Sequence, residues 1–362
     1  MRIKLFLSLL ISGVFIYLAF RGINYRLMWE SLQRANYWLL LPGVAFMFIS
    51  LWLRAERWRD FMEPIKRIET PKLFSALMIG YYANNVFPFR LGEFLRAYAI
   101  GRSAEVSRMS SFATIFVERL IDIFSLLLLL AVSVLFHDYP GWIERGALMI
   151  FAITAVSTLF ILFLMERTHQ TLRFTSRIMR PFPRRAKALV RKLLASFLEG
   201  FTIFKRSEHF WTITWQSVAL WLCYGVIIYL GLEAFDLNRA YHLPLGASLV
   251  VLVMTSIGIM VPAAPGYVGS FHWICQQALI IFGVSESESL GYAVVMHIVN
   301  FVPITLVGFY YYYKQHLDIR EAVRTQEIAA PNNGRHAEVA ESQPASTQTW
   351  SNTMDDDFLK YD

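Results

Sequence analysis

The chain has 362 residues, of which 56% are hydrophobic and 17% charged, and its formal net charge is +7. Soluble domains are roughly one-half apolar and one-quarter charged, so this composition excludes an ordinary soluble enzyme. Most Lys and Arg residues flank long apolar runs instead of forming one basic face, which argues against a nucleic-acid-binding module. Cys223 and Cys275 both lie in apolar stretches, so they predict neither a disulfide framework nor a metal site.

Eight apolar runs each have about the length that a helix needs to cross roughly 30 Å of hydrocarbon. The sequence therefore predicts an all-α integral membrane protein with about eight transmembrane helices. The runs cover residues 5–20, 37–53, 110–136, 147–165, 210–232, 244–262, 266–284 and 289–313. Pro262, Pro265, Gly266 and Gly269 interrupt the start of the seventh run, which predicts a broken helix near 262–284.

The distribution of Lys and Arg predicts the orientation of the chain in the membrane. With the N-terminus inside, the inner segments hold 26 of these residues and the outer segments hold 5. Positive residues stay on the cytoplasmic side, so both termini are expected to face the cytoplasm from the cell (inner) membrane.

Cysteine labelling is expected to report the same orientation, because the count assigns each loop to one side of the membrane. A membrane-impermeant maleimide should reach single cysteines at positions 138, 238 and 287 from outside. Single cysteines at positions 60, 104, 188 and 340 should be reached from inside. Labelling of position 104 from outside would contradict the predicted topology.

Residues 72–101 contain two apolar halves, and neither half is long enough to cross the membrane. Both flanks carry cytoplasmic positive charge, so the segment is expected to enter from inside, turn between Asn85 and Gly92, and return as a re-entrant hairpin. Irregular backbone at that depth requires surrounding protein or a water-filled cavity. The pattern therefore predicts a cavity beside the hairpin.

Two further segments complete the predicted organisation of a membrane domain at 1–324 and a tail at 325–362. Residues 166–209 interleave basic and apolar side chains, which is typical of an amphipathic helix pair lying on an anionic inner leaflet. Determination of topology alone is an equally good interpretation of that basic segment. Residues 325–362 lack apolar periodicity, so a disordered cytoplasmic tail is expected there.

Three charged residues, Glu118, Arg119 and Asp122, lie near the start of the third apolar run. Glu118 and Asp122 are four residues apart and share a helix face, while Arg119 is positioned to pair with Asp122. A charge facing lipid costs on the order of 3 kcal/mol, so these side chains are expected to face protein or water.

The hairpin offers cationic partners for that acidic face, Arg90 at its tip and Arg96 beyond it, with Glu93 between them. A helix that begins near Leu91 would direct its N-terminal N–H groups into the cavity, and Arg90 would add a forked donor. These features are typical of a phosphate-binding site. A buried ion-pair network that only joins the hairpin to the third run is the alternative interpretation.

The interrupted region before 284 supplies Gly266, Gly269 and His272, which could form the opposite wall of the cavity. His272 and His297 each lie in or near the last two apolar runs. A contact with a proton or a lipid headgroup is one interpretation of these histidines. A hydrogen-bonded packing role is the other, and the sequence favours it.

At these residues the sequence resembles the transmembrane domain of lysylphosphatidylglycerol synthases and related stand-alone flippase-like proteins. The resembling stretches are Arg54 to Arg59, Gly80 to Arg96, Val117 to Asp122 and Pro265 to Gly269, and they cover about residues 1–315 in the same order. The resemblance implies an eight-helix bundle with re-entrant segments that moves phospholipid between leaflets. It assigns the polar motif to Arg90, Gly92, Glu93, Arg96, Glu118, Arg119 and Asp122. His272 and Phe89 depart from the residues common in relatives, Glu and a small residue respectively.

The expected function is therefore that of a lipid translocase without a cofactor, in which arginines face a lipid phosphate and acidic residues balance their charge. The substrate-binding hypothesis comprises Asn85, Arg90, Gly92, Glu93, Arg96, Glu118, Arg119, Asp122, Gly266, Gly269 and His272. The expected ligand is an anionic membrane phospholipid. The 38-residue tail is too short for the aminoacyl-transferring domain of the synthases, so no aminoacylated lipid is expected from this chain.

Two alternatives remain open from the sequence. One is an intramembrane enzyme acting on lipid-linked phosphate or sugar, in which the acidic residues hold a divalent cation. The other is a non-transporting partner of a lipid-modifying enzyme. No P-loop pattern is present, so ATP hydrolysis within this chain is not the expected energy source.

Overall fold

The computed structural model describes residues 2–87, 91–134, 210–244, 246–260 and 265–315, and a few single positions between 141 and 159. All regular structure in these ranges is helical. The α-helices are α1 (Arg2–Phe20), α2 (Tyr25–Arg34), α3 (Leu40–Met62), α4 (Thr70–Val86), α5 (Gly92–Ser103), α6 (Arg108–Val134), α7 (Phe210–Ala234), α8 (Leu237–Ala240), α9 (Gly246–Met260), α10 (Ser270–Ile280) and α11 (Glu286–Lys314). The predicted crossing at 147–165, the basic segment at 166–209 and the tail at 325–362 lie wholly or largely outside the described residues.

Three segments are helical, long and apolar enough to cross a membrane, and they cover Tyr37–Met62, Phe210–Ala234 and Glu286–Lys314. A fourth is obtained if Ser8–Phe20 and Tyr25–Arg34, which bend by 86° at their junction, count as one broken span. The prediction of an all-helical membrane protein is thus confirmed at this level. The predicted number of eight crossings stays a prediction.

Helices α4 and α5 pack against each other as the first hairpin, while the re-entrant insertion predicted for 72–101 stays a prediction. With 17 and 12 residues, they extend about 25 and 18 Å, so neither could cross the membrane alone. Asn84 Oδ1 accepts a hydrogen bond of 2.8 Å from the Gly92 backbone N–H across the turn. A Cβ added at Gly80 would lie 3.1 Å from the Cβ of Arg96. Because Gly80 and Gly92 have no Cβ, the two helices can pack closely at these positions.

Helices α9 and α10 form the second hairpin, and α10 lies within the segment 262–284, where a broken helix was predicted. The sequence predicted crossings at 244–262 and 266–284, and the described parts of these two runs contain helices of 15 and 11 residues, so both crossings stay a prediction. At 1.5 Å per residue these described helices extend about 22 and 16 Å. They pack against each other, and a Cβ at Gly258 would lie 3.1 Å from Ile274. The proline and glycine residues between them account for the interruption.

The described helices repeat one order of lengths twice. The series α3 to α6 has 23, 17, 12 and 27 residues, and the series α7, α9, α10 and α11 has 25, 15, 11 and 29. Contacts between the two series are reciprocal, since α3 packs on α7, α4 on α11 and α6 on α9. The two halves therefore have equivalent helix orders and contacts, with one short-helix hairpin in each half.

Candidate functional site

Six charged side chains from three helices of the first half lie together, and we call them the arginine–carboxylate cluster. Its members are Arg54 and Arg57 from α3, Arg96 from α5, and Glu118, Arg119 and Asp122 from α6. Arg54 and Arg57 are three residues apart and share a face of α3, as Glu118 and Asp122 share a face of α6.

Asp122 is held by two arginines of α3. Arg57 Nη2 lies 2.6 Å from Asp122 Oδ1, and Arg54 Nη2 lies 2.8 Å from Asp122 Oδ2. Arg57 also donates through Nη1 to Ser217 Oγ of α7 at 2.9 Å. These charge-assisted contacts fix the end of α3 against both α6 and α7.

Glu118 lies at the centre of the cluster and contacts four arginines. Arg96 Nη2 is 2.8 Å from Glu118 Oε2. Glu118 Oε1 is 3.3 Å from Arg54 Nη1, 3.6 Å from Arg57 Nη2 and 3.9 Å from Arg119 Nη2. The Arg96 guanidinium also lies over the ring of Trp58 at 3.7 Å, which positions it by a cation–π contact.

Burial divides the cluster into a sealed part and an accessible edge. The side chains of Arg57 and Glu118 are fully buried, whereas 38% of the Arg119 side chain is exposed. Arg119 is also the most loosely held arginine, since its contacts with Glu118 and Asp122 are 3.9 and 3.7 Å. A ligand would therefore meet Arg119 first.

The cluster carries more positive than negative charge. Four arginines and two carboxylates leave an excess of two positive charges among its members. Within the described part of the chain, the buried Nε and Nη1 atoms of Arg96 have no hydrogen-bond partner, and the two Glu118 carboxylate oxygens meet their arginines as ion pairs without a hydrogen bond. Buried donors without partners are costly, so the arrangement favours an anion with several acceptor oxygens.

A second polar group lies at the turn between α9 and α10. His272 Nε2 is 3.3 Å from His297 Nδ1 of α11, and His297 Nε2 is 2.8 Å from the Gly266 carbonyl oxygen. The Gly269 N–H donates to His272 Nδ1 at 3.3 Å. The hydrogen-bonded packing role that the sequence favoured for these histidines agrees with this geometry.

The turns of the two hairpins meet at Asn85 and Gly266. A Cβ at Gly266 would lie 3.4 Å from the Asn85 carbonyl oxygen, and Gly266 has a positive φ of 68°. The Asn85 side chain donates to Thr305 Oγ1 of α11 at 2.8 Å. This junction joins the first hairpin to the second half of the protein.

The structure divides the predicted site residues between these two locations. Arg96, Glu118, Arg119 and Asp122 belong to the cluster. Asn85, Gly266, Gly269 and His272 lie at the junction of the hairpin turns, and Gly92 packs at the base of the first turn. Glu93 is half-buried in the first turn of α5. Arg90 lies outside the described residues, so its predicted place at the hairpin tip stays a prediction.

Sequence reasoning missed the contribution of Arg54 and Arg57 to the cluster. The second apolar run was expected to end at 53, and these arginines were counted as part of an inner loop. The helix continues to Met62, because the guanidinium groups find buried carboxylates on α6. Their three-residue spacing on one face, followed by Trp58, was a signal for a longer helix.

Comparison with known proteins places this architecture in a family. The model of the lysylphosphatidylglycerol synthase TM region matches residues 5–308. A UPF0104 membrane protein of Methanothermobacter thermautotrophicus is 27% identical over 295 residues, covering 77% of this chain and 86% of that protein. No solved structure matches the chain. The helical membrane fold and the family match together show that this chain belongs to the lysylphosphatidylglycerol synthase transmembrane-region family.

Proposed function

We propose that this chain is a membrane lipid translocase that moves an anionic phospholipid, or a lipid-linked phosphate, between leaflets. The headgroup enters at the arginine–carboxylate cluster while the acyl chains stay in the bilayer. The observation that carries the proposal is the excess of two positive charges in a buried cluster with an exposed edge at Arg119. Arg96 and Arg119 face the phosphate, and Arg90 is the third proposed donor.

The charge balance supports a ligand more than a purely structural network. A structural network gains most when its charges cancel, because each uncompensated buried charge has a large desolvation cost. Here Glu118 and Asp122 must offset four arginines. A phosphate would supply the missing negative charge and several strong acceptor oxygens for the free N–H groups of Arg96.

The two hairpins support transport between leaflets. The first hairpin is flanked by segments that the Lys and Arg count assigns to the inside, and the second by segments assigned to the outside. The hairpins then enter from opposite faces, and their turns meet at Asn85 and Gly266. Inverted repeats with interrupted helices at the midplane are a common architecture of secondary transporters. We propose that opening one hairpin at a time exposes the headgroup site to alternate sides.

The two rival functions receive less support. A metal-dependent enzyme would need free carboxylates, but Glu118 and Asp122 are each surrounded by arginines that oppose cation binding. A non-transporting partner would not require an accessible, loosely held arginine at a charged cluster. Metal dependence of a lipid hydrolysis or transfer reaction would support the enzyme. Lack of lipid movement by the purified protein would support the partner role.

Replacing Arg119 tests the proposed translocase. In liposomes, Arg119→Ala is expected to lower the rate of anionic-lipid movement about tenfold or more, since an ionic contact worth about 1.4 kcal/mol gives that factor. Arg119→Lys should keep part of the rate, because it retains the charge without the forked donor. The thermal midpoint should change little, because Arg119 is partly exposed and its ion pairs are long. Fluorescent-lipid translocation and unfolding in detergent measure the two effects.

Arg26→Ala is the matched control, since 87% of the Arg26 side chain is exposed and it pairs only within α2 with Glu30 among the described residues. This variant should move lipid at the wild-type rate. An Arg119→Ala protein that folds normally and moves anionic lipid as fast as the control would remove Arg119 from the proposed site. Movement of zwitterionic and anionic lipids at equal rates would contradict phosphate-charge selection by the cluster.

A further inference from the structure

Helix α2 is short, carries three charged residues and lies almost perpendicular to the helix before it. Its ten residues, Tyr25–Arg34, include Arg26, Glu30 and Arg34. The axes of α1 and α2 differ by 86°, and the turn between them contains Gly22 with a positive φ of 77°. If α1 follows the membrane normal, α2 therefore runs along the membrane surface.

One side of α2 is fixed against α11. A Cβ added at Gly291 of α11 would lie 2.9 Å from Ser31 Oγ and 3.5 Å from Met28 Cγ, so these two side chains pack on that glycine. The residue before α2 contacts the same helix, because the Asn24 N–H donates to Ser287 Oγ at 2.9 Å. The rotation of α2 about its own axis is therefore set by the protein.

This packing leaves an aromatic edge of α2 exposed. Tyr25 and Trp29 are four residues apart, so they lie on the same edge of the helix. Each of these two side chains is 60% exposed. Apart from the packed side, α2 thus presents two large amphipathic rings to its surroundings.

The other free edge of α2 is charged. Arg26, Glu30 and Arg34 follow one another at intervals of four residues and share this edge. Arg26 Nε lies 3.0 Å from Glu30 Oε1, and Arg34 Nη2 lies 3.7 Å from Glu30 Oε2. Both arginine side chains are largely exposed. One carboxylate between two arginines leaves this edge with a net positive charge.

Neither water nor the hydrocarbon interior suits both edges of α2. In water, the rings of Tyr25 and Trp29 would keep their apolar surface hydrated, which is unfavourable. In the hydrocarbon interior, the charged edge would lose its hydration at a high cost. At the bilayer surface, an aromatic edge can lie among the upper acyl chains while a basic edge stays among the headgroups. Leu27, which is exposed beside the charged edge, is not accounted for by this placement.

The segments on either side of α2 continue the same surface. Tyr37 and Trp38, just before α3, are both exposed, and Trp38 is 79% exposed. The Tyr37 hydroxyl donates to the Leu32 carbonyl oxygen of α2 at 2.7 Å, so this ring lies beside the end of α2. On α1, Val14 and Tyr17 are exposed as well. Tyr and Trp are enriched where membrane proteins meet the headgroup region, and these exposed rings are typical of such a belt.

We propose that α2 is an interfacial helix that binds the bilayer surface. Tyr25 and Trp29 insert at the boundary between headgroups and acyl chains, and Arg26 and Arg34 lie among the headgroups. The leaflet is the one at the α10–α11 end of the bundle, which the Lys and Arg distribution predicts to be the outer leaflet. The partner is the lipid surface itself, so the inference does not depend on lipid translocation.

Spin labels on single cysteines test the depth of each edge. Tyr25→Cys and Trp29→Cys report the aromatic edge, and Arg26→Cys and Arg34→Cys report the charged edge, in a background without the two native cysteines. The labelled proteins are placed in liposomes of phosphatidylcholine and phosphatidylglycerol. Collisions of each label with dissolved oxygen, which concentrates in hydrocarbon, are compared with collisions with a water-soluble nickel chelate.

Two exposed positions serve as references for this ratio. Val14→Cys on α1 reports the hydrocarbon, and Arg239→Cys on α8 reports water. The oxygen-to-nickel ratio is expected to be about threefold or more higher on the aromatic edge than on the charged edge, since an interfacial helix buries its apolar edge by about 5–10 Å. If Trp29→Cys fails to fold, Tyr25→Cys reports the same edge.

Three results would overturn the proposal. Ratios like that of Arg239→Cys at all four positions would show that α2 stands in water. Ratios like that of Val14→Cys at all four would place the whole helix inside the hydrocarbon as part of a broken span. Few collisions with either reagent at Tyr25→Cys and Trp29→Cys would show that a second copy of the chain or another protein covers the aromatic edge.

Discussion

Replacing Glu118 by alanine is expected to lower the free energy of unfolding by about 3–5 kcal/mol, the usual cost of removing one partner of a buried charge pair. The side chain of Glu118 is fully buried and contacts Arg54, Arg57 and Arg96. Without it, Asp122 is the only carboxylate left in the cluster to offset four arginines. The expected loss is therefore among the largest for any single substitution in this chain.

Thermal or denaturant unfolding in detergent measures this effect. Glu30→Ala is the control, because Glu30 also contacts two arginines, Arg26 and Arg34, but in the exposed helix α2. Exposed pairs contribute about 0–1 kcal/mol, so that variant should unfold close to wild type. Equal stability of the Glu118→Ala and Glu30→Ala proteins would contradict the buried cluster. Glu118→Gln, which keeps the shape and removes the charge, should be nearly as unstable as Glu118→Ala.

Replacing Gly92 by alanine is expected to disrupt the first hairpin, at a cost of about 3 kcal/mol or more. A Cβ at this position would overlap the Gly80 carbonyl oxygen and lie 2.5 Å from both Cγ and Oδ1 of Asn84. The contacted oxygen of Gly80 belongs to the backbone of α4, so the helices would have to separate. Separation would also move Arg96 away from Glu118, since α5 carries Arg96.

Gly225→Ala is the matched control, because Gly225 lies inside helix α7 with nothing within 4 Å of the added Cβ. Helix propensity favours alanine over glycine by about 1 kcal/mol, so this variant should be as stable as wild type or slightly more so. Unfolding of the two variants in detergent gives the comparison. A Gly92→Ala protein with the stability of the Gly225→Ala protein would show that α4 and α5 do not pack as described.

Arg57 and Arg119 have different environments within one cluster. Arg57 is fully buried, with contacts of 2.6 Å to Asp122 and 2.9 Å to Ser217. Arg119 is partly exposed, and its nearest carboxylate oxygen is 3.7 Å away. Arg57 contacts residues of two other helices, whereas 38% of the Arg119 side chain is exposed. Only their three-dimensional environments distinguish them.

Several features of the fold and of the cluster could be predicted from the sequence, because they depend only on local composition and short spacings. Long apolar runs specify helices in a membrane, since the bilayer leaves no other partner for the backbone groups. The interrupted pattern around Asn85 to Gly92 predicted a re-entrant hairpin; α4 ends at Val86 and α5 begins at Gly92, and the re-entrant insertion stays a prediction. The four-residue spacing of Glu118 and Asp122 predicted a shared face, and both carboxylates lie in one cluster. The family resemblance rested on the same ordered motifs, and the family match confirms it.

Other features depended on contacts between residues far apart in the chain. The second apolar run was predicted to end at residue 53, because an arginine with no known partner normally marks the end of a transmembrane span. Arg54 and Arg57 find Asp122 more than sixty residues later, and this pairing lets the helix continue to Met62. For the same reason, the packing of α9 against α10 was not predicted from the apolar stretch that contains them.

The sequence by itself determined that the chain is a helical membrane protein, where its polar motifs lie and which family it belongs to, because these properties depend on composition and short spacings. The tertiary structure alone decided which arginines are sealed and which is exposed. It also decided that His272 meets His297 and that Asn85 meets Gly266, contacts that join residues 25 and about 180 positions apart. Helix packing determines these contacts. Burying a polar group costs desolvation free energy, and only a partner that packing brings within reach offsets that cost.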